Sequence, residues 1–168
     1  MRQLKALIVV VIIFFLQACT SADAYDIDNQ AIHLKNYEGK WIIITYWATW
    51  CKNCLVEIKE LNSLYIENEL REEVQDFQDP KNSIIVLSYN IDNLSVDELK
   101  EIGRAQNIQY PILQTDPLLK LGLAQPEVLP FTRIINPQGK LHRSIIGILH
   151  TKDIKQMIKA YSVAMHPS

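Results

Sequence analysis

The seven residues Trp41–Trp47, WIIITYW, are β-branched or aromatic throughout and carry no charge. A continuous apolar run of strand length is the mark of a strand covered on both faces, which places it inside a sheet and not at its edge. The period changes a few residues later. After Cys54, Leu55, Ile58, Leu61 and Tyr65 recur at spacings of three and four, one face of a helix, and the pattern runs more weakly through Leu70, Val74 and Phe77 to a stop at Pro80. Ser83–Ile91, SIIVLSYNI, is a second buried strand. Strand, helix and strand in that order call for parallel pairing through a right-handed crossover.

The remainder extends this plan. Ser95-Val96-Asp97-Glu98 is a capping box that opens a helix through about Ala105. Tyr110–Leu113 reads as a short extended piece and Leu118–Leu123 as a short helix. Phe131–Ile135 and Leu141–Leu149 are strands joined by Asn136-Pro137-Gln138-Gly139, with Pro and Gly where a type I turn favours them. A last helix follows Thr151, with Ile154, Met157, Ile158 and Tyr161 on one face. Residues 31–40 alternate loosely and end on the turn pair Gly39-Lys40. The expected fold class is α/β, a mixed central β-sheet with helices on both faces and an N-terminal β-hairpin. At 168 residues the chain suits one domain. A net charge of −2 without any cationic run argues against nucleic acid as a partner.

The first 18 residues stand apart: Arg2 and Lys5 precede the apolar run Ala6–Leu16. That run falls short of the roughly 20 residues a bilayer span needs and suits the apolar core of an export signal. Leu16-Gln17-Ala18-Cys19 then resembles a bacterial lipobox, which would make Cys19 the lipidated first residue of the mature protein. An ordinary signal peptide cut nearby, or an uncleaved anchor, is the alternative. The expected organisation is a lipoprotein-type signal peptide over 1–18, a polar tether over 19–30 and a folded domain over 31–168. Such a domain lies outside the cytoplasm, where disulfides persist.

Cys51 and Cys54 fall where the first strand ends and its helix begins. A metal site, a structural bridge and a redox couple all use this spacing. Zinc needs two further ligands, yet there is no second CxxC, and His33, His142, His150 and His166 are scattered. A copper carrier meets the same shortage. A bridge closing so small a loop restrains the unfolded chain little. A reversible dithiol–disulfide couple fits best. A helix N-terminus presents free N–H groups and partial positive charge, which stabilise a thiolate at Cys51, and Lys52 acts in the same sense. Cys54, one turn on, is within reach to resolve a mixed disulfide.

WATWCKNC is similar to the WAxWCxxC signature of thioredoxin-fold proteins, and above all to the TlpA-like exported thiol–disulfide oxidoreductases. The resemblance extends over about residues 30–165: Gly39-Lys40 before the WIIITYW strand, SIIVLSYNID, Tyr110-Pro111-Ile112-Leu113, and Val128-Leu129-Pro130-Phe131-Thr132 followed by Ile134-Ile135-Asn136 and Gly139. It implies a thioredoxin-like fold in which Cys51 is the nucleophile and Cys54 the resolving residue. Pro130 would be a cis-proline facing the cysteines. Leu129 would offer backbone groups to a substrate strand, and Trp50 would cap the surface. Glu57 matches an acidic residue that tunes the cysteines in some relatives; a solvated helix carboxylate is its bland alternative. The chain departs from the family pattern at Thr45, where thioredoxin has a buried Asp, at Lys59, where Pro is common, and at Leu129, bulkier than the usual Val or Thr. The implied activity is reduction of protein disulfides, for example in cytochrome c maturation. It would use no cofactor beyond the Cys51–Cys54 pair and a membrane thiol donor of DsbD-like or CcdA-like type. A disulfide oxidase, a peroxidase of the same fold and a non-catalytic binding lipoprotein are the rivals. Against the peroxidase, Thr49 stands only two residues before Cys51 and does not make a TxxC.

Overall fold

The computed structural model describes residues 21–73 and 83–165. Within them lie β1 (Ala24–Tyr25), β2 (Ala31–Ile32), β3 (Trp41–Trp47), α1 (Lys52–Glu73), β4 (Ile84–Asn90), α2 (Val96–Ala105), β5 (Ile112–Leu113), β6 (Phe131–Ile135), β7 (Leu141–Ile146) and α3 (Thr151–Met165). Short 3-10 turns occupy Leu34–Tyr37 and Leu119–Leu121. The central sheet has the order β5-β4-β3-β6-β7. β3 is buried at all seven positions. It pairs parallel with β4, from Trp41↔Ile84 to Trp47↔Asn90, and antiparallel with β6, from Ile42↔Ile135 to Tyr46↔Phe131. This is the mixed sheet the sequence predicts.

The pleat of β3 divides the core. Trp41, Ile43 and Trp47 face α1 and its neighbours: Leu61 and Leu64 of α1 and Ile154 and Ile158 of α3 pack on the lower part, Ile58 of α1 and Leu99 of α2 on the upper. Ile42, Ile44 and Tyr46 face the other way, onto Ala24, Ile32, Leu113 and Leu118. Helices on both faces therefore hold unequally. The three α-helices share one face, and the second is covered by the hairpin, the two 3-10 turns and the chain around them. The cause is topological. From β3 to β4 to β5 the chain steps twice in one direction, and two right-handed crossovers stepping the same way lay both helices on the same side.

The fold also starts earlier than the sequence indicates. The expected tether over 19–30 contains β1, paired antiparallel with β2 as Ala24↔Ile32 and Tyr25↔Ala31. Ala22 and Ala24 are buried. The acidic residues that give this stretch its solvated look serve the backbone. Asp26 Oδ1 accepts from the N–H groups of Asp28 (2.9 Å) and Gln30 (2.8 Å), closing the hairpin turn, and Asp23 Oδ2 accepts from Leu34 N–H (2.7 Å). The expected strand through Leu149 ends at Ile146, because Gly147 (φ +95°) takes the chain off the sheet. Segment 1–18, Cys19, Val74, Phe77, Pro80 and His166 lie outside the described residues.

Candidate active site

β3 delivers its last residue, Trp47, at the C-terminal end of the sheet, and the chain turns at once into α1. Two contacts fix that turn: Cys51 N–H donates to Ala48 O (3.1 Å) and Ile91 N–H to Trp47 O (3.0 Å). A third comes from Asp92, just past β4. Its Oδ2 accepts from Thr49 N–H (2.6 Å) and its Oδ1 from the Trp50 indole N–H (2.9 Å). Asn90 Oδ1 in turn accepts from Asp92 N–H (2.8 Å). Trp50 is thus pinned at its polar edge while its ring stays 68% exposed, a flat apolar surface beside the cysteines.

Cys51 and Cys54 are joined in a disulfide, Sγ–Sγ 2.03 Å. The backbone N–H of Cys54 points at Cys51 Sγ, 3.2 Å away. That amide also donates to Cys51 O (3.1 Å), so its hold on the sulfur is shared, and in the reduced state it is the α1 dipole behind it that favours a thiolate on Cys51. The two sulfurs are not equally accessible: Cys51 is 6% exposed and Cys54 1%.

On the other side of the pair lies the loop before β6. The Leu129–Pro130 peptide bond is cis. Pro130 O accepts from Gly147 N–H (2.8 Å), which ties the loop to the end of β7. Leu129 is half-buried and packs on the cluster that holds both cysteines.

Glu57 lies on α1 one turn beyond Cys54, on the face turned to the sheet, and is 1% exposed; the solvated alternative does not hold. Its Oε2 accepts from Thr45 Oγ1 (2.5 Å), and its Oε1 from Leu149 N–H (2.9 Å) and Thr132 Oγ1 (3.4 Å). Thr45 thus occupies the place of the missing Asp and supports a carboxylate supplied by the helix. Burial pushes the Glu57 carboxyl above its ordinary range, against the opposing pull of these hydrogen bonds and of the nearby His150. Glu60, one turn on and at the surface, is held low by Thr151 N–H and by His150, whose Nδ1 is 3.3 Å from Glu60 Oε1. Lys59 is exposed.

Cys51, Cys54, Trp50, Glu57, Leu129 and Pro130 therefore meet at one end of the sheet. Sequence reading missed Asp92, Thr132 and the Leu149 amide. Asp92 carried a signal, since it directly follows a buried parallel strand, where α/β sheets gather their functional groups. Thr132 and Leu149 carried none, because their use depends on where Glu57 points. Among the described residues no group of three or more His, Cys, Asp or Glu side chains is placed to hold a metal ion.

The AhpC/TSA family profile matches residues 16–144. The chain belongs to the AhpC/TSA family. A curated relative, the thiol–disulfide oxidoreductase ResA of Geobacillus thermodenitrificans, is 27% identical over 137 residues, covering 80% of this chain and 71% of its own length. Among solved structures, a secreted thiol–disulfide isomerase from Corynebacterium glutamicum superposes with a TM-score of 0.63 at 20% identity, covering 79% of this chain and 78% of that one. An exposed lipoprotein thioredoxin from Streptococcus pneumoniae gives 0.56 at 22% identity, over 82% and 96%. The fold is thioredoxin-like, and this AhpC/TSA chain is a thiol–disulfide oxidoreductase. Among the described residues no helix is long and apolar enough to cross a membrane.

Proposed function

We propose that the protein works outside the cytoplasm as a lipid-anchored reductase of protein disulfides. The observation that carries this is the asymmetry of the pair: both cysteines lie in the apolar cluster that Leu129 joins, Cys51 keeps a narrow opening at 6% exposed, and Cys54 is closed off at 1%, one helical turn before the buried Glu57.

In the reduced protein the Cys51 thiolate attacks one sulfur of a substrate disulfide. A Cys51–substrate bond forms, and the other substrate sulfur leaves as a thiolate and takes a proton from water. The Cys54 thiol then gives its proton to Glu57, whose raised affinity suits it as acceptor. The Cys54 thiolate attacks Cys51 Sγ, and the second substrate sulfur leaves. Two electrons have passed to the substrate, and the protein is left with the Cys51–Cys54 disulfide seen here. Leu129 presents its backbone to an extended substrate segment across the cis-proline loop, and the Trp50 ring packs against its side chains. The disulfide is the whole redox group, with no added cofactor. It is reset by a dithiol of DsbD-like or CcdA-like type in the membrane, and substrates such as apocytochromes awaiting haem fit an exported reductase of this kind. Lipidation at Cys19 is supported by the lipobox-like LQAC and by the lipoprotein nature of the pneumococcal structural neighbour.

Direction of flow follows reduction potential. Equilibration with glutathione is expected to place the pair near the roughly −270 mV of a reductant; a value near −120 mV makes the protein an oxidase instead. In cells, Cys54→Ala is expected to accumulate mixed disulfides at Cys51 that release both substrate and donor on reduction. If nothing accumulates, and Cys51→Ser leaves insulin reduction unchanged, the reading is wrong.

A further inference from the structure

The distance between Cys19 and the folded domain is short. The chain is built into the fold from Ala22 onward: Ala22 and Ala24 are 9% and 2% exposed, and Asp23 N–H donates to Ile32 O at 2.9 Å. Only Thr20 and Ser21 separate Cys19 from Ala22. Three residue steps span at most about 10 Å even when fully extended. The polar zone of one leaflet is itself about 5–7 Å deep. A lipidated Cys19 therefore leaves the domain at most about 3–5 Å of slack beyond the polar zone, which holds whatever surrounds Ala22 at the headgroups.

What surrounds it is the 3-10 turn Leu119–Leu121. Lys120 Nζ donates to Ala22 O at 2.9 Å. On either side, Leu119 is 47% and Leu121 66% exposed, while Leu118 is fully buried and fastens the turn from within. Tyr25, three residues along from Ala22, is 50% exposed. Leucines flanking an ammonium, with a tyrosine nearby, form the composition of an interfacial anchor. The apolar groups reach the acyl boundary, and the cation, which keeps donors to spare beyond Ala22, meets anionic headgroups. On a wholly aqueous surface the two leucines have no partner.

We propose that the Leu119–Leu121 turn and the chain around Ala22 form a bilayer-contacting face, which lies on the lipid surface and sets the orientation of the domain. The proposal rests on the reading of Cys19 as lipidated. It has a consequence for the partner. The bridge Asp26↔Leu113 is antiparallel, and Leu113 is level with Tyr89 and Tyr46 through the sheet register. From Tyr25 back to Ala22 the chain thus runs toward the end of the sheet at which β3 delivers Cys51. The contact face thereby turns the disulfide-bearing end of the sheet toward the side on which a membrane-held dithiol would stand.

The test uses the full chain produced in a bacterium that processes lipoproteins and reconstituted in phosphatidylethanolamine–phosphatidylglycerol vesicles with brominated acyl chains. Mass analysis of the N-terminal peptide reads acylation of Cys19. Tryptophan emission is compared for Leu121→Trp, for Ser144→Trp on the exposed strand β7 and for the unaltered chain. The added emission from position 121 is expected to fall at least twofold against unbrominated vesicles, and that from position 144 to stay unchanged. If Cys19 is acylated and position 121 is quenched no more than position 144, the lipid reading stands and the contact face is overturned. If Cys19 carries no lipid, both fall.

Discussion

Glu57 is a carboxyl whose burial makes it hold its proton more tightly than usual. A carboxyl that binds its proton more tightly in the folded than in the unfolded chain contributes stability that is fully present below the unfolded value, about 4.3, and is lost as pH rises through the folded one. Glu57→Gln mimics the protonated form and removes that dependence. Between pH 4 and pH 8 the urea midpoint of the oxidised variant is therefore expected to rise relative to that of the parent, read by circular dichroism. The same change should slow resolution of a Cys51 mixed disulfide by about a hundredfold, the low end of what a positioned proton acceptor supplies, in single-turnover reaction with a protein disulfide. The cysteines and Pro130 were legible because their roles depend on neighbours in sequence or on a family pattern. The surroundings of Glu57 were not, since Thr132 and Leu149 lie 75 and 92 residues away from it in the chain.

At the scale of elements, α2 shows how closely the helical layer approaches the sheet. A methyl group at Gly103 would stand 2.6 Å from Ile112 Cδ1 on β5. Gly103→Ala gains about 1 kcal/mol of helix propensity, while the one atom its methyl meets is the end of a side chain that can turn aside, so overpacking stays at the low end of about 1–3 kcal/mol and little net change is expected on denaturant titration. A bulkier Gly103→Leu cannot be absorbed by that turn and should lower the denaturant midpoint clearly. Strands β3 and β4, the capped start of α2 and the β6–β7 pair were readable from periodicity and turn chemistry. Ser95 Oγ and the Glu98 carboxylate cap α2 reciprocally, as their spacing requires. The first hairpin was not readable. Its strands are two residues long, too short to show a period, and its buried side chains include the alanines 22 and 24, which hardly register as apolar.

For the molecule as a whole, the face without α-helices depends on buried polar bonds instead. Arg133, 6% exposed, lies over the rings of Tyr46 and Phe131 at 5.2 and 5.5 Å, donates to the Tyr46 hydroxyl at 3.0 Å and also reaches Ala124 O. Tyr46 in turn donates to Asp116 Oδ1 at 3.1 Å. Arg133→Ala removes the donor to the Tyr46 hydroxyl and the Ala124 carbonyl and frees the chain leading to Pro130. A loss of about 1–3 kcal/mol is expected in equilibrium unfolding, with weaker turnover in the insulin assay even where the fold survives. The opposite rim of the sheet has a different vulnerability. β7 borders solvent along its outer side, and Leu141 and Ile146 are exposed there, interrupted by Arg143. A lone guanidinium on an open strand border acts as a guard against stacking of copies, since pairing two such borders would bring like charges together. Arg143→Val should leave redox turnover intact and make the protein scatter more light than its parent on concentration, so that this border is guarded by a charge that takes no part in the sulfur chemistry.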